Sequence, residues 1–453
     1  MMGRGEVRGG SVPETIYAEA TAVGAAGVAV VRVSGPRASF VLEVLSGRML
    51  EPRRATKVDL RGASDGCLLD TPLALWFPKP KSFTGEDTVE FHLHGGRAVV
   101  TAVMAEVGGI SGLRVAEPGE FSRRAFVNGK LDLTEAEGLA DLVAAETEVQ
   151  RRQALQQLKG ELGEVYEGWR QRLLRCLAHG EAELDFVDED LPAGLRAGLC
   201  NDVAELAREM ADHLDDQCRG ERVRDGVRVV IVGAPNVGKS SLLNRLARRD
   251  VAIVHDMAGT TRDVIEVDLD LSGYPITISD TAGLRESGDE VENEGMRRAR
   301  MVADSADLVA GLFDASRYPD LDAFNLSLLG TEGLAVFNKT DLPARDLPNV
   351  VGKCSAIPVS CKTGSGLDRL MEELRSRAEQ MMLGNGGPII SRQRHRESLT
   401  ACHKALVRFG LANESELAAE ELRHAVHALG RITGRVDVED ILDLIFQEFC
   451  IGK

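Results

Sequence analysis

The string Gly233-Ala234-Pro235-Asn236-Val237-Gly238-Lys239-Ser240 has the spacing Gly-x-x-x-x-Gly-Lys-Ser, that of a phosphate-binding loop. Its glycines let backbone N–H groups close around phosphates, Lys239 can reach the β and γ oxygens, and Ser240 can ligate Mg²⁺. This chemistry needs a strand before the loop and a helix after it. Arg228–Val232 reads as a short apolar strand, and the stretch from Ser241 onward has a helical pattern. The N-terminus of that helix would add partial positive charge where phosphates sit.

A second string, Asn338-Lys339-Thr340-Asp341, follows the apolar run Leu334–Phe337. Asp341 can accept two hydrogen bonds from guanine N1–H and the 2-amino group. Adenine lacks that amino group, and a site built for a hydrogen-bonding partner rejects the analogue without it. Together with the phosphate loop, the string points to GTP. Asp280-Thr281-Ala282-Gly283 closes the strand Ile276–Ser279. There Asp280 can hold Mg²⁺ through water and the Gly283 N–H can meet the γ-phosphate. Ser360-Cys361-Lys362, after Ile357–Val359, can offer backbone N–H groups to guanine O6.

The next residue, Leu284, stands where many small GTPases carry a water-orienting glutamine. Leucine cannot hydrogen-bond water, so another catalytic group is required. The segment Val254-His255-Asp256-Met257-Ala258-Gly259-Thr260-Thr261-Arg262-Asp263 comes earlier in the chain. Thr261 is a candidate second Mg²⁺ ligand. Residues 254–260 read either as a mobile switch loop or as a source of carbonyls for a monovalent cation, and the residue pattern by itself favours the loop.

These motifs need scaffolds. At 453 residues, 43% hydrophobic and 28% charged, the chain is an ordinary globular one, long enough for two to four domains. Its formal net charge of −17 requires that any nucleic-acid contact use a local basic patch. Aromatic residues are only 4%, too few for a base-stacking platform, and the eight cysteines contain no Cys-x-x-Cys pair. The cysteine pattern suits reduced cytoplasmic thiols. The Gly/Arg-rich first ten residues look like a frayed tail, not a secretory signal, and no run of about 18 apolar residues suggests a membrane span.

Four zones emerge. Residues 1–130 carry short strands at Val28–Val33, Leu73–Phe77 and Val89–Leu93 between Gly and Pro turns, and read as an α+β domain. Residues 131–225 turn helical, with Leu155, Leu158, Leu162, Val165, Trp169 and Leu173 expected on one helix face. Residues 226–380 alternate strands, including Leu308–Phe313, with helices, as in a doubly wound α/β domain. A Gly-rich linker, 382–388, opens a second helical zone within 381–453. The simplest assembly is one discontinuous helical domain with the P-loop domain inserted between its halves.

The chain resembles the MnmE (TrmE) family of tRNA-modifying GTPases over nearly its whole length. The likeness rests on the GTPase motifs and on Val31-Arg-Val-Ser-Gly35, Phe83-Thr-Gly-Glu-Asp87, Ala116-Glu-Pro-Gly-Glu-Phe121 and Arg124-Ala-Phe-Val-Asn-Gly-Lys-Leu-Asp-Leu133. Its most specific part is the ending Phe449-Cys450-Ile451-Gly452-Lys453. The resemblance implies an N-terminal folate-binding and dimerisation domain, a split helical domain and an inserted Ras-like GTPase. It implies a cytoplasmic homodimer whose GTP hydrolysis is stimulated by K⁺ when two G domains meet. It further implies a flavoprotein partner of the MnmG type, using FAD and NADH. With it the protein would modify C5 of the wobble uridine of certain tRNAs, installing an aminomethyl or carboxymethylaminomethyl group. The one-carbon donor would be 5-formyl- or 5,10-methylene-tetrahydrofolate.

Carried over residue by residue, the resemblance gives Asn236 a K⁺-coordinating side chain. It completes the K⁺ shell with His255, Met257 and Thr260, of which His255 and Thr260 also count among the nucleotide-binding residues. Such an ion can supply charge where other GTPases use an arginine finger. Glu292 matches the water-orienting glutamate; read from the residues alone it is a solvated carboxylate at a helix start. Arg32, Glu90, Lys130 and Lys453 match folate contacts. Period 2 places Glu90, His92 and His94 on one face of a strand and Val89, Phe91 and Leu93 on the other. On that face Glu90 can accept paired hydrogen bonds from a pterin amino edge, while Arg32 and Lys130 can hold polar or anionic parts. His92-x-His94 also permits a metal reading, without a visible third ligand. Cys450 could attack C6 of uracil as a thiolate or could be a packed thiol. Gly452 would let the tail turn toward a ligand.

Three departures stand out. The family's usual Gly-Arg-Gly-Gly is Gly24-Ala25-Ala26-Gly27 here, His255 replaces a threonine, and Cys361 stands where alanine is common. Arg151-Arg152 and Arg392-Gln-Arg-His-Arg396 could touch tRNA phosphates or could be solvated helix faces. His424 and His427 read as ordinary helix residues. Two rival functions remain: a regulatory GTPase switch of the ribosome-assembly type, and a folate-binding scaffold whose G domain only sets dimer geometry.

Overall fold

The structure is a computed structural model. It describes residues 14–185, 195–249, 251–253, 266–280, 291–343, 346–384, 387–436, 439–447, 449 and 452. The chain forms two compact units. One comprises residues 1–140, 163–167 and 429–453, and the other residues 141–162 and 168–428.

The first unit is built on a mixed sheet. In chain order its strands are β1 (Thr15–Glu19), β2 (Ala26–Ser34), β3 (Thr56–Lys57), β6 (Leu73–Phe77), β7 (Thr88–Gly95) and β8 (Leu113–Val115), while β4 (Leu60–Arg61) and β5 (Leu68–Asp70) pair separately. The spatial order is β3-β6-β7-β2-β1-β8, antiparallel except for β1 with β8. The alternation expected of β7 holds: Val89, Phe91 and Leu93 are buried, whereas Glu90 and His92 are half-buried and His94 is exposed. The apolar face packs with Val31, Val33, Leu42, Leu45, Val103 and Val107, the last four carried by helices Ala38–Ser46 and Arg97–Gly108. On the opposite face Ile16 and Ala18 pack with Ala116, Phe121 and Phe83. The helix Glu439–Gln447 buries Leu442, Ile445 and Phe446, together with Phe449, against Leu133 and Ala136. Gly119 has φ +67°, and a Cβ there would lie 2.4 Å from the Phe446 carbonyl oxygen, so glycine allows this close approach.

The second unit holds a seven-stranded sheet. Its strands are β9 (Val227–Val232), β10 (Glu266–Leu271), β11 (Tyr274–Asp280), β12 (Leu308–Asp314), β13 (Leu334–Asn338), β14 (Val350–Val351) and β15 (Cys354–Pro358), in the order β10-β11-β9-β12-β13-β15-β14. The five central strands are parallel, and only the edges β10 and β14 run antiparallel. Sequence reading finds the five central strands: β9, β12 and β13 are buried on both faces and read as continuous apolar runs, while β11 and β15 carry shorter apolar stretches. It misses both edges. The hairpin of β10 and β11 turns on Ser272-Gly273, both at positive φ.

Helices of this unit come from both sides of the sheet in sequence: Leu195–Leu214 packs along Gln393–Leu411, with Met210 and Cys402 sulfurs 3.7 Å apart. The single amphipathic face expected over 155–173 is instead carried by two helices, Glu148–Leu158 and Glu161–Asp185. Gly160, at φ +86°, separates them. The first opens with a capping box in which the Thr147 side chain and Gln150 satisfy each other's backbone N–H. No helix among the described residues is long and apolar enough to cross a membrane.

Candidate functional site

The carboxyl ends of the parallel strands converge on one edge, as the register shows: Asp280 lies opposite Ile231, Gly311 opposite Val232, and Asp314 opposite Asn338. In open parallel sheets this edge is where ligands bind. The loop between β9 and the helix Lys239–Leu246 occupies its centre. Asn236 (φ +63°) and Gly238 (φ +105°) both take the left-handed backbone conformation, which curls the loop. A Cβ on Gly238 would lie 2.4 Å from the Asn338 side-chain nitrogen, so glycine is required there for space as well as for φ. Lys239 is buried at 7% exposure and its Nζ donates to the carbonyls of Gly233 (2.8 Å) and Ala234 (3.3 Å). Ser240 Oγ donates to Asp280 Oδ2 at 3.4 Å, which places a hydroxyl and a carboxylate side by side as a hard-cation site requires.

Asn338 joins three loops. Its Nδ2 donates to the Val237 carbonyl at 2.8 Å, its Oδ1 accepts from the Cys361 N–H at 3.0 Å, and it is buried at 3% exposure. Thr340 Oγ1 donates to the Val359 carbonyl at 2.9 Å, closing the same junction. Ser360 Oγ donates to Asp341 Oδ1 at 2.8 Å and in turn accepts from the Thr363 N–H at 3.1 Å. This fixes the orientation of the Asp341 carboxylate. Lys362 Nζ stands 3.8 Å from Asp341 Oδ2 on an exposed side chain. Burial pushes the Cys361 thiol up to about 11, so it stays protonated at neutral pH.

Asp314 was not foreseen. It closes β12 and pairs with Lys339 at 2.7 Å. Burial works against ionisation of its carboxyl, but hydrogen bonds from Lys339 and Ser316 outweigh it and hold the pKa below the ordinary carboxylate value. The available signal was Asp314-Ala315-Ser316 directly after an apolar strand, the pattern of an aspartate that bonds the backbone two residues on.

Of the other expected residues, Ser241 lies in the first turn of the helix Lys239–Leu246 and is exposed. His255, Met257, Thr260, Thr261, Thr281, Ala282, Gly283, Cys450 and Lys453 lie outside the described residues. Glu292 belongs to the helix Val291–Asp304, whose first side chains are likewise outside the description.

The first unit holds a second polar constellation. Arg32 lies opposite Glu90 in the register of β2 and β7, and its Nε donates to Glu90 Oε1 at 2.9 Å. Both side chains are about four-fifths buried, at 19% and 18% exposure. The Arg32 guanidinium lies 5.4 Å from the Phe83 ring centroid and 5.5 Å from that of Phe121, within cation–π range. Its Nη1 reaches the Gly452 carbonyl at 3.4 Å, so the chain end comes to this pair. Gly452 has φ +98°, and a Cβ there would lie 2.2 Å from the Glu19 carbonyl oxygen. The Lys130 stem packs beside Gly85, in the loop that follows Phe83. A fixed carboxylate and a guanidinium beside two aromatic rings form a built polar site on this sheet face.

The remaining expectations divide. His94 is held by Asp70 (Nδ1 to Oδ1, 2.6 Å), and the described residues contain no group of three or more His, Cys, Asp or Glu suited to a metal. Arg151 and Arg152 both pair with Glu148 along their own helix, Arg392 pairs with Asp141, and Arg396 pairs with Asp216 and Glu221. The seven described cysteines are free thiols.

A doubly wound sheet carrying a phosphate loop, with an Asn-Lys-Thr-Asp loop stapled to it, defines a guanine-nucleotide-hydrolysing P-loop domain. Comparison with known proteins fixes the family. Residues 15–130 match the "GTP-binding protein TrmE N-terminus" and residues 133–450 the "MnmE helical domain". The tRNA modification GTPase MnmE of Rhodospirillum rubrum is 53% identical over 453 residues, covering 97% of this chain and 99% of that one. Its counterpart from Paramagnetospirillum magneticum is 54% identical over 441 residues, covering 97% and 100%. The G domain of the T. maritima FeoB iron transporter aligns with 35% of this chain and 99% of its own at 24% identity, with a TM-score of 0.25. The chain belongs to the MnmE family of tRNA modification GTPases, and it is a GTPase.

Proposed function

We propose that this GTPase couples nucleotide turnover to modification of the wobble uridine of certain tRNAs at C5. It would act in the cytoplasm as a homodimer with an FAD- and NADH-using flavoprotein of the MnmG type. The observation that carries the reading is the presence, in one chain, of two built sites: the nucleotide edge joined by Asn338 and the Arg32–Glu90 pair reached by the chain end. A GTPase acting only as a switch has no use for the second.

At the nucleotide edge, Lys239 leaves the loop carbonyls for the β and γ oxygens, and backbone N–H groups from Asn236 to Ser241 take the remaining phosphate charge. Ser240 and Asp280, joined by Thr261, would hold Mg²⁺, which neutralises charge building on the phosphates. Thr281, Ala282 and Gly283 would border the γ-phosphate. Asp341 reads the guanine N1–H and 2-amino group while Ser360, Cys361 and Lys362 line O6. Asn236, with His255, Met257 and Thr260, would hold K⁺, and Glu292 would orient water in place of the glutamine that Leu284 replaces. The left-handed backbone at Asn236 supports its part in this assignment.

At the other site Arg32, Glu90, Lys130 and Lys453 would hold a reduced folate. The burial and mutual pairing of Arg32 and Glu90 support this. When bound, the folate supplies the one-carbon unit. Arg32 and Glu90 orient it, and Phe83 and Phe121 exclude water. Cys450 would lie at the end of the same tail. Residues 131–225 and 381–453 form the two halves of a helical domain in this reading, around a G domain of 226–380.

Mass spectrometry of tRNA nucleosides from cells lacking the protein tests the function: the C5-modified wobble uridine should disappear. Unchanged modification would return the protein to the class of binding switches. GTP hydrolysis faster in K⁺ than in Na⁺ at equal ionic strength, with the difference erased in Asn236→Ala, tests the cation assignment.

A further inference from the structure

We propose that Asp314 is a positioning residue for guanine-nucleotide binding: it fixes Lys339 against the base while Asp341, two residues on, reads the base edge. The inference rests on the reading of residues 338–341 as the guanine loop and assigns a role to a residue outside that motif.

The geometry begins with register. β12 and β13 are parallel, and Asp314 lies directly opposite Asn338, so the last residue of one strand sits beside the start of the loop that follows the other. The Asp314 carboxylate is fully engaged. Oδ1 accepts from Ser316 N–H at 3.0 Å and Ser316 Oγ at 2.7 Å, capping the short turn Ala315–Arg317. Oδ2 is left for Lys339 Nζ at 2.7 Å. The Asp314 side chain is 11% exposed against 33% for Lys339, so the buried partner holds and the more open one is held. Lys339 has φ +67°, a left-handed conformation that non-glycine residues adopt only when their surroundings hold them there.

A lysine stem is long, with many rotamers to lose on ordering. The ion pair settles that loss before any nucleotide arrives. A stem so fixed offers a flat apolar edge with a positive end, the surface on which an aromatic base lies well. Nothing in this arrangement touches the phosphates or the atoms that react. Asp314 therefore acts on nucleotide affinity, equally for GDP and GTP, and through Lys339 alone.

The test uses the full-length protein and equilibrium binding of fluorescent GDP and GTP analogues. Asp314→Asn keeps an oxygen for Ser316 but faces Lys339 with a neutral amide. It should weaken both nucleotides about tenfold and leave kcat at saturating GTP unchanged. The ratio of GDP to IDP affinity should hold, because hypoxanthine differs from guanine only in the amino group that Asp341 reads. In a Lys339→Ala background the added Asp314→Asn change should have no effect. Ser316→Ala, which removes the hydroxyl bond to Oδ1 but keeps the backbone N–H bond and the ion pair, should bind GDP like the parent. Unchanged affinity in Asp314→Asn, a full tenfold loss persisting in Lys339→Ala, or an equal loss in Ser316→Ala each overturns the proposal. If Lys339→Ala binds GDP as the parent does, the reading of the guanine loop itself fails, and the proposal with it.

Discussion

The two polar sites are built on different parts of a sheet. The nucleotide site lies beyond the strand ends, where backbone N–H groups and short loop side chains meet and Asn338 ties three loops together. The Arg32–Glu90 site lies on a sheet face, between adjacent strands, covered by Phe83 and Phe121 and met by the chain end at Gly452. An edge site is assembled from contiguous loops whose backbone does much of the binding. A face site is assembled from side chains distant in sequence. The first should fail steeply when one junction is cut, and the second should weaken by the worth of one contact.

Cutting the phosphate loop should give the largest effect. Lys239→Ala removes the one cation that the loop itself carries, and kcat for GTP hydrolysis should fall about 10²–10³-fold, as when a single preorganised donor to developing charge is lost. Steady-state phosphate release checks it, and a loss below tenfold would break the contrast between the two sites. Asn338→Ala comes next. It leaves the buried Val237 carbonyl and the Cys361 N–H without their partner, at about 1–3 kcal/mol each. GDP affinity should fall by roughly two orders of magnitude, since each 1.4 kcal/mol is a factor of ten. Isothermal titration measures this directly.

The same contrast decides what could be read from the chain alone. Gly233–Ser240, Asn338–Asp341 and Ser360–Lys362 are runs of neighbouring residues, and each is constrained by what its own backbone must do. Their strands are buried on both faces, so they stand out as apolar runs. The edges β10 and β14 do not. Edge strands carry alternating or mixed residues, and β10 reads Glu-Val-Asp-Leu-Asp-Leu. The pairing of Arg32 with Glu90 depends on a register between strands 58 residues apart, and its contact with Gly452 spans 420. Periodicity gave the face on which Glu90 stands, but not which residue faces it. Asp314 was missed for the same reason: its partner is set by the parallel register of β12 and β13, not by proximity in sequence. The arginines of 151–152 and 392–396 look available in sequence, and folding pairs Arg151, Arg152, Arg392 and Arg396 with carboxylates in the same unit. Gly160 divides a helical pattern whose spacing alone runs on unbroken.

At the face site, Glu90→Gln should lower affinity for 5-formyl-tetrahydrofolate about tenfold, because one charge-assisted hydrogen bond becomes a neutral one. GDP affinity should not move, since Glu90 belongs to the other compact unit. Arg32→Ala should do more, as it removes the guanidinium from both rings and from Gly452. Fluorescence quenching by the folate reads both variants. A loss in GDP affinity to match would show that the two sites are not independent.

The smallest effect separates the units by pH. His213, in the unit that holds the nucleotide site, packs edge-on against Trp169 with ring centroids 5.3 Å apart. Burial disfavours its charged form, and the nearby Arg396 guanidinium adds to this while Asp216 partly opposes it; the net effect is a pKa lowered from the usual histidine value. The unfolded chain therefore takes up a proton more readily than the folded one does. Stability from this residue is fully present above about pH 6.5, the unfolded value, and is lost as pH falls through the lower folded value. His213→Phe keeps a ring against Trp169 and removes the titration. Its thermal midpoint should fall less steeply between pH 6.5 and 5 than that of the parent, by about 2 °C over the interval. The slope is the informative quantity, because replacing the imidazole also shifts the midpoint at every pH. Differential scanning calorimetry on both proteins gives it, and parallel slopes would mean that His213 titrates in the folded unit as it does in the unfolded chain.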